Sequence, residues 1–177
     1  MIEIKFGRRW SMPSPQTFSM PPIRDLLKRW IEPGQVVIDP FARDATIATI
    51  TNDLNPNTAA EYHLPAEEFC EVILQKGVRA DVVLFDPPYS PRQMSECYNE
   101  VGYRPAGRSV TQNAVLYKHV RDGLDRLLRE GGIAISFGWN TSGFGKGRGY
   151  VPEEILMVAH GGAHNDTHCV VERKAWT

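Results

Sequence analysis

The chain has 177 residues, 42% of them hydrophobic and 23% charged, with a formal net charge of −1. That is enough for one domain with a sizeable core, and it excludes both a disordered polyelectrolyte and a partner recognised through overall basicity. Any polyanion must meet a local basic face. Cys70, Cys97 and Cys169 are far apart and form no Cys-x-x-Cys pair, so reduced thiols are expected rather than a disulfide framework or a zinc knuckle. No run approaches the ~18 apolar residues of a membrane span, and no leader precedes the domain, so the expectation is a soluble, cytoplasmic protein with no membrane partner.

Residues 7–22 carry too many prolines for regular structure. Pro21 and Pro22 then open a helix, Ile23 to Ile31, which Pro33-Gly34 ends. Val36 to Asp39 is a buried strand, followed by Pro40-Phe41-Ala42-Arg43-Asp44-Ala45. Ile47 to Asn52 is predicted as a second strand ending at Asp53-Leu54. Fourteen positions separate Asp39 from Asp53, against ~20 in the usual dinucleotide fingerprint, so the helix between these strands must be one turn or absent. Tyr62 to Leu64 is a short third strand candidate. A helix from Pro65 to Lys76 follows, closed by Gly77.

Asp81 to Phe85 is an apolar, β-branched run suited to a strand buried on both faces. It stops at Asp86-Pro87-Pro88-Tyr89, because proline cannot donate to a ladder and restricts the residue before it. An acid, two stiff imides and an aromatic ring are thus held at a strand's carboxyl end, where open α/β sheets bind ligands. Residues 92–112 are read as a loop, and Thr111 to Arg129 as a helix. Ile133 to Phe137 is a further strand, and Ser142 to Tyr150 a glycine-rich, basic, mobile loop. Glu154 to Ala159 and Thr167 to Arg173 form a closing hairpin. His160, His164 and His168 fall around that hairpin's turn, where turn chemistry accounts for them better than a metal does, so no metal is expected.

Asp86-Pro87-Pro88-Tyr89 resembles the signature of the S-adenosylmethionine-dependent methyltransferases that act on the N6 amine of adenine in DNA. The wider segment to Gln93 is similar to a small phage-type branch of that family. The likeness extends from about Phe18 to Lys174, through Phe137-Gly138-Trp139-Asn140. It implies one Rossmann-like class I α/β domain over 1–177, mostly parallel with an antiparallel C-terminal hairpin, with reduced helices. Residues 1–32 would form an N-terminal loop and helix, and no separate target-recognition domain is present. Phe18, Ser19, Met20, Asp39, Pro40, Phe41, Ala42, Asp53 and Leu54 would hold S-adenosylmethionine, with Asp53 on the ribose. Ala42 and Arg43-Asp44-Ala45 replace the glycines expected after Asp39, which implies another course for that loop.

Asp86, Pro87, Pro88 and Tyr89 would then carry catalysis. Asp86 and the Pro87 carbonyl would accept the two amine N–H groups, and Tyr89 would stack on the base. Arg92, Arg104, Arg108, Lys146 and Arg148 are candidates for phosphate contact. The implied partner is DNA, flipped or single-stranded, in a prokaryotic or phage-infected cell, with low or short sequence specificity and a setting such as restriction-modification. Open alternatives are methylation of adenine in RNA or of a protein glutamine, an inactive nucleic-acid-binding relative, and an unrelated Rossmann-like domain.

Overall fold

The computed structural model describes residues 3–102 and 113–175. Among the described residues seven strands make one sheet: β1 (Lys5–Trp10), β2 (Val37–Asp39), β3 (Ile50–Thr51), β4 (Ala80–Phe85), β5 (Leu128–Gly138), β6 (Tyr150–Ala159) and β7 (Thr167–Lys174). Their order is β1-β6-β7-β5-β4-β2-β3. Only β7 runs antiparallel to its neighbours, pairing with β5 and β6. The mostly parallel sheet with a C-terminal hairpin is the class I methyltransferase arrangement.

Helices cover both faces. On one side α1 (Pro21–Trp30) buries Ile23, Leu26 and Leu27 against Val37, Val82, Leu84, Ile135 and Leu156. On the other, α2 (Ala66–Gln75) and α4 (Asn113–Leu127) pack Phe69, Ile73, Val120 and Leu124 onto Ile38, Val83 and Phe85. A Cβ at Gly123 would stand 2.7 Å from the Cβ of Cys70. Glycine there lets α4 and α2 approach. Burial on both faces explains why β2 and β4 are near-continuous apolar runs.

The reductions expected between the first strands are present. No helix joins β2 to β3, and the third strand shrinks to one parallel bridge between Asn52 and Tyr62. The buried Asn52 amide donates to the carbonyls of Pro40 and Leu64 and accepts from the Leu64 N–H, so a side chain replaces strand pairing there.

Three expectations are corrected. Lys5–Trp10 is an edge strand, paired in parallel with β6, so residues 7–10 of the proline-rich 7–22 stretch are regular after all. Residues 92–100 are not loop but part of α3 (Pro91–Glu100), whose N-cap Ser90 accepts from the Gln93 N–H. The glycine-rich segment is pinned rather than mobile. Buried Glu172 takes the N–H groups of Phe144 at 2.6 Å and Gly145 at 3.0 Å, and Phe144 is buried. A Cβ at Gly143, where φ is +51°, would meet that carboxylate at 2.2 Å.

Candidate active site

Between β2 and β4 the sheet has its switch point, since β2 leads outward to β3 while β4 pairs on its other side. Asp39 ends β2, Asp86 directly follows β4, and Asp53 follows β3 by two residues. The topology therefore delivers three carboxylates to one crevice at the carboxyl edge of the sheet.

Asp39 is fully buried. One carboxylate oxygen accepts the Phe41 N–H at 2.9 Å, and the other has no partner among the described residues. Its carboxyl is pushed up to about 8, chiefly by burial and further by the charges of Asp86 and Asp53, with the Phe41 N–H opposing the rise. A buried oxygen left unpaired costs stability unless something bonds it. Asp53 is better supported, accepting from the N–H groups of Arg43 at 3.1 Å and Asn55 at 2.8 Å, while burial still raises its carboxyl.

The loop after Asp39 keeps a left-handed residue despite lacking glycine. Arg43 adopts φ +50°, a conformation costing a non-glycine residue about 1 kcal/mol or more. Its guanidinium donates to the Pro15 carbonyl at 3.2 Å and offsets the charges of Asp53 and Asp86. Strain and counter-charge thus meet at one residue. Ala42 is buried, and its N–H donates to the Asn52 carbonyl, so that amide is already committed. Phe41 packs edge-on to Phe85, fixing Pro40 and Phe41 over the end of β4.

At the Pro-Pro corner, Asp86 is partly buried. Burial raises its carboxyl, and the hydroxyls of Tyr89 and Thr17 and the charge of Arg43 hold the rise in check. Tyr89 folds back so that its hydroxyl donates to Asp86, while its ring meets Trp139 edge-on at 5.8 Å. The Tyr89 N–H donates to the Gln93 side chain at 2.8 Å, which ties the corner to the first turn of α3. The Tyr117 hydroxyl donates to the Pro88 carbonyl, so that carbonyl turns towards α4.

Phe18, Ser19 and Met20 approach from the entry of α1. Phe18 packs on Phe137 at 5.1 Å, Met20 is buried, and the Ser19 hydroxyl donates to the Gln16 carbonyl. Leu54 sits in the bend held by the Asp53–Asn55 bond. Of the basic candidates, Arg148 is bound twice to Asp122 and once to the Phe144 carbonyl. Arg92 pairs with Glu96 on the surface of α3, and Lys146 opens the short 3-10 turn, Lys146–Arg148, before β6. Arg104 and Arg108 lie outside the described residues. Arg43, Tyr117 and Trp139 stand at the site without a role expected from sequence. The Asp39 loop, where an arginine replaces glycine, carried the one available cue.

His160 bridges the Ser11 carbonyl and the Thr167 hydroxyl in the interior. Among the described residues no group of three His, Cys, Asp or Glu side chains is placed to hold a metal, and no helix is long and apolar enough to cross a membrane.

No protein-family model matches the chain, and neither does any curated protein. Solved structures do. NSun6 from Pyrococcus horikoshii, crystallised with SFG, is 15% identical with a TM-score of 0.57, over 86% of this chain and 51% of its own. TrmN from Thermus thermophilus is 18% identical at TM-score 0.56, over 88% and 49%. The N-methyltransferase NodS from Bradyrhizobium japonicum WM9 is 8% identical at 0.58, over 92% and 99%. The chain spans about half the length of the first two. It has the class I methyltransferase fold.

Proposed function

We propose that this chain transfers a methyl group from S-adenosylmethionine to the N6 amine of adenine in DNA, with low or short sequence specificity, in a prokaryotic or phage-infected cell. One observation carries the reading: a partly buried carboxylate at a Pro-Pro corner, beside a second, unpaired carboxylate oxygen at the sheet's switch point. The residues fit the cofactor. Asp39 offers a cationic group a carboxyl oxygen that has no partner among the described residues, and Asp53, two residues beyond β3, would serve as the ribose acceptor. Met20, Phe18 and Phe41 supply apolar walls. When bound, S-adenosylmethionine supplies an electrophilic methyl group on a sulfonium.

The chain's own groups account for the rest. An adenine amine is a poor nucleophile because its lone pair is delocalised into the ring. Asp86 and the Pro87 carbonyl, by accepting its two N–H bonds, favour a more tetrahedral nitrogen and direct the lone pair. The Tyr89 hydroxyl now donates to Asp86 as an amine N–H would, so substrate displaces it and frees the ring to lie against the base beside Trp139. Proline fixes the acceptor geometry beforehand, which lowers reorganisation during transfer. Methylation would leave positive charge on the nitrogen, and Asp86 would take one of its protons. In a duplex the base must first be flipped out, at a cost of a few kcal/mol.

The test incubates the purified chain with radiolabelled S-adenosylmethionine and random-sequence DNA, single- and double-stranded, beside RNA of equal sequence. Label should enter DNA as N6-methyladenine. Asp86→Asn should lower the rate by ~10²–10³-fold while leaving cofactor affinity by calorimetry within about a factor of two, less than ~0.5 kcal/mol. Label confined to RNA, or cofactor bound with no label in any strand, would overturn the reading.

A further inference from the structure

Strands β2 to β7 turn their large apolar side chains inward, and β1 does the reverse. Phe6 is 65% exposed, Trp10 64%, Met12 67% and Ile4 42%. Within the strand Phe6, Arg8 and Trp10 alternate with Lys5, Gly7 and Arg9 and so share one side, and exposed Ile4 and Met12 flank its two ends. On the opposite side Lys5 lies 3.7 Å from Glu154, which Arg29 and Trp30 of α1 also reach. The register sets Phe6 beside Ile155, Arg8 beside Met157 and Trp10 beside Ala159, and Ile155 and Met157 are only partly covered. The result is an open aromatic and apolar face with a guanidinium in its middle. Among the described residues neither Arg8 nor Arg9 has a carboxylate partner, and the Arg9 guanidinium reaches the Arg8 carbonyl.

Position adds a second point. β1 runs parallel to β6 and hence to β4 and β5, so Trp10 ends at the same edge of the sheet as Asp86 and Trp139. Three strand spacings separate β1 from β5, about 14 Å. Trp139, 40% exposed, follows β5 and touches Tyr89. Exposed aromatic rings therefore stand at both ends of that stretch.

An edge strand of this kind can also pair with a second copy of itself. Here that would set Lys5, Arg8 and Arg9 against the same three cations, which is repulsive. An apolar protein partner would have to bury Arg8 unpaired. A single strand of nucleic acid suits every group present: rings take base faces and guanidiniums take phosphates. We infer that β1 is a docking strand for the unpaired nucleic acid flanking the target base. The inference rests on the nucleic-acid reading above. At ~3.4 Å per stacked nucleotide the span from Trp139 to Trp10 corresponds to about four nucleotides.

The test uses the full chain and fluorescein-labelled oligothymidine of about 4 and about 16 nucleotides, the range of single-strand site sizes. Anisotropy should show that Trp10→Ala and Phe6→Ala each weaken the long strand ~5-fold or more, with little effect on the short one. Arg8→Glu should weaken it too and flatten the salt dependence. With a long adenine-containing strand, the same loss should appear in KM and not in kcat. Unchanged long-strand binding in all three variants would overturn the inference. So would a wild-type dimer, seen by sedimentation, whose dissociation alone explains the loss. Thymidine strands do not engage the transfer chemistry. Their binding through β1 by a chain that methylates no adenine would sink the activity and keep the docking strand. Full methylation of long strands by every variant would do the opposite.

Discussion

The two edges of the sheet use charge in opposite ways. At the amino edge Arg79, Arg126, Arg129 and Lys174 line a shallow hollow of about 550 Å³, and each has a partner. Arg129 meets Asp81 at 2.6 Å, Arg126 meets Glu71 at 2.6 Å, Lys174 meets Asp125 at 3.1 Å, and Arg79 donates to the Arg126 carbonyl. Although burial alone would raise Asp81, the Val36 N–H and Arg129 hold its carboxyl below the usual range. At the carboxyl edge Asp39, Asp53 and Asp86 are all pushed up, chiefly by burial. One strained arginine stands among them, and one of the Asp39 oxygens has no partner among the described residues. The same strands supply both ends. Matched charge at one end serves the fold, whereas unmatched charge at the other costs stability and leaves a demand that a cationic ligand can meet.

Asp39→Asn should break this contrast most. In the unfolded chain the carboxyl ionises near 3.8, and in the folded chain near 8. Between those values the folded state holds the extra proton, so stability falls as pH rises and levels off above about 8. Asp53, Asp86 and Glu172 shift in the same direction, so the variant should reduce the slope of stability against pH without removing it. Its affinity for S-adenosylmethionine should drop ~10-fold or more, the loss of a hydrogen bond to a charged group. In the wild type that affinity should rise with pH as Asp39 ionises, and in the variant this rise should flatten. Chemical denaturation and calorimetry across pH 5 to 9 would check both, and an unchanged slope would remove Asp39 from the account.

A comparison of Arg43→Gly with Arg43→Ala isolates the strained residue. Both lose the counter-charge to Asp53 and Asp86, and only alanine keeps a Cβ at φ +50°. Glycine should be the more stable of the two by ~1 kcal/mol, read from denaturation midpoints. Equal stabilities would mean that the loop relaxes to negative φ.

Much of this arrangement was legible in the residues. Val36 to Asp39 and Asp81 to Phe85 are buried on both faces, so their apolar runs marked strands, and the two prolines fixed where the second ends. The carboxylates at those ends followed from position alone. The missed elements lack that kind of burial. Lys5 to Trp10 is held by main-chain pairing to β6 with nearly every side chain exposed, so no periodic burial pattern marks it. Helix α3 is polar, yet Ser90-Pro91-Arg92-Gln93 carries an N-cap serine, a proline at the first turn and a glutamine three residues on. The fold-back of Tyr89 onto Asp86 depends on contacts among β4, the loop before α1 and the end of β5, which no local pattern encodes.

The smallest effect belongs to the amino edge, and its smallness is what the comparison requires. Arg126 and Glu71 are joined across α4 and α2 with both side chains more than half exposed. Water screens such a pair, and holding two long side chains in one geometry offsets much of the attraction. Arg126→Ala should therefore cost no more than about 0.5–1 kcal/mol. Because the pair lies at the opposite end of the strands from Asp39 and Asp86, transfer rate and cofactor affinity should stay within about a factor of two, below ~0.5 kcal/mol. Salt should erase most of the stability difference, since an exposed pair is screened within ~10 Å at 0.1 M ionic strength. A large loss of transfer in this variant would show that the two edges are coupled through β4 and β5, and the division between structural and reactive charge would fail.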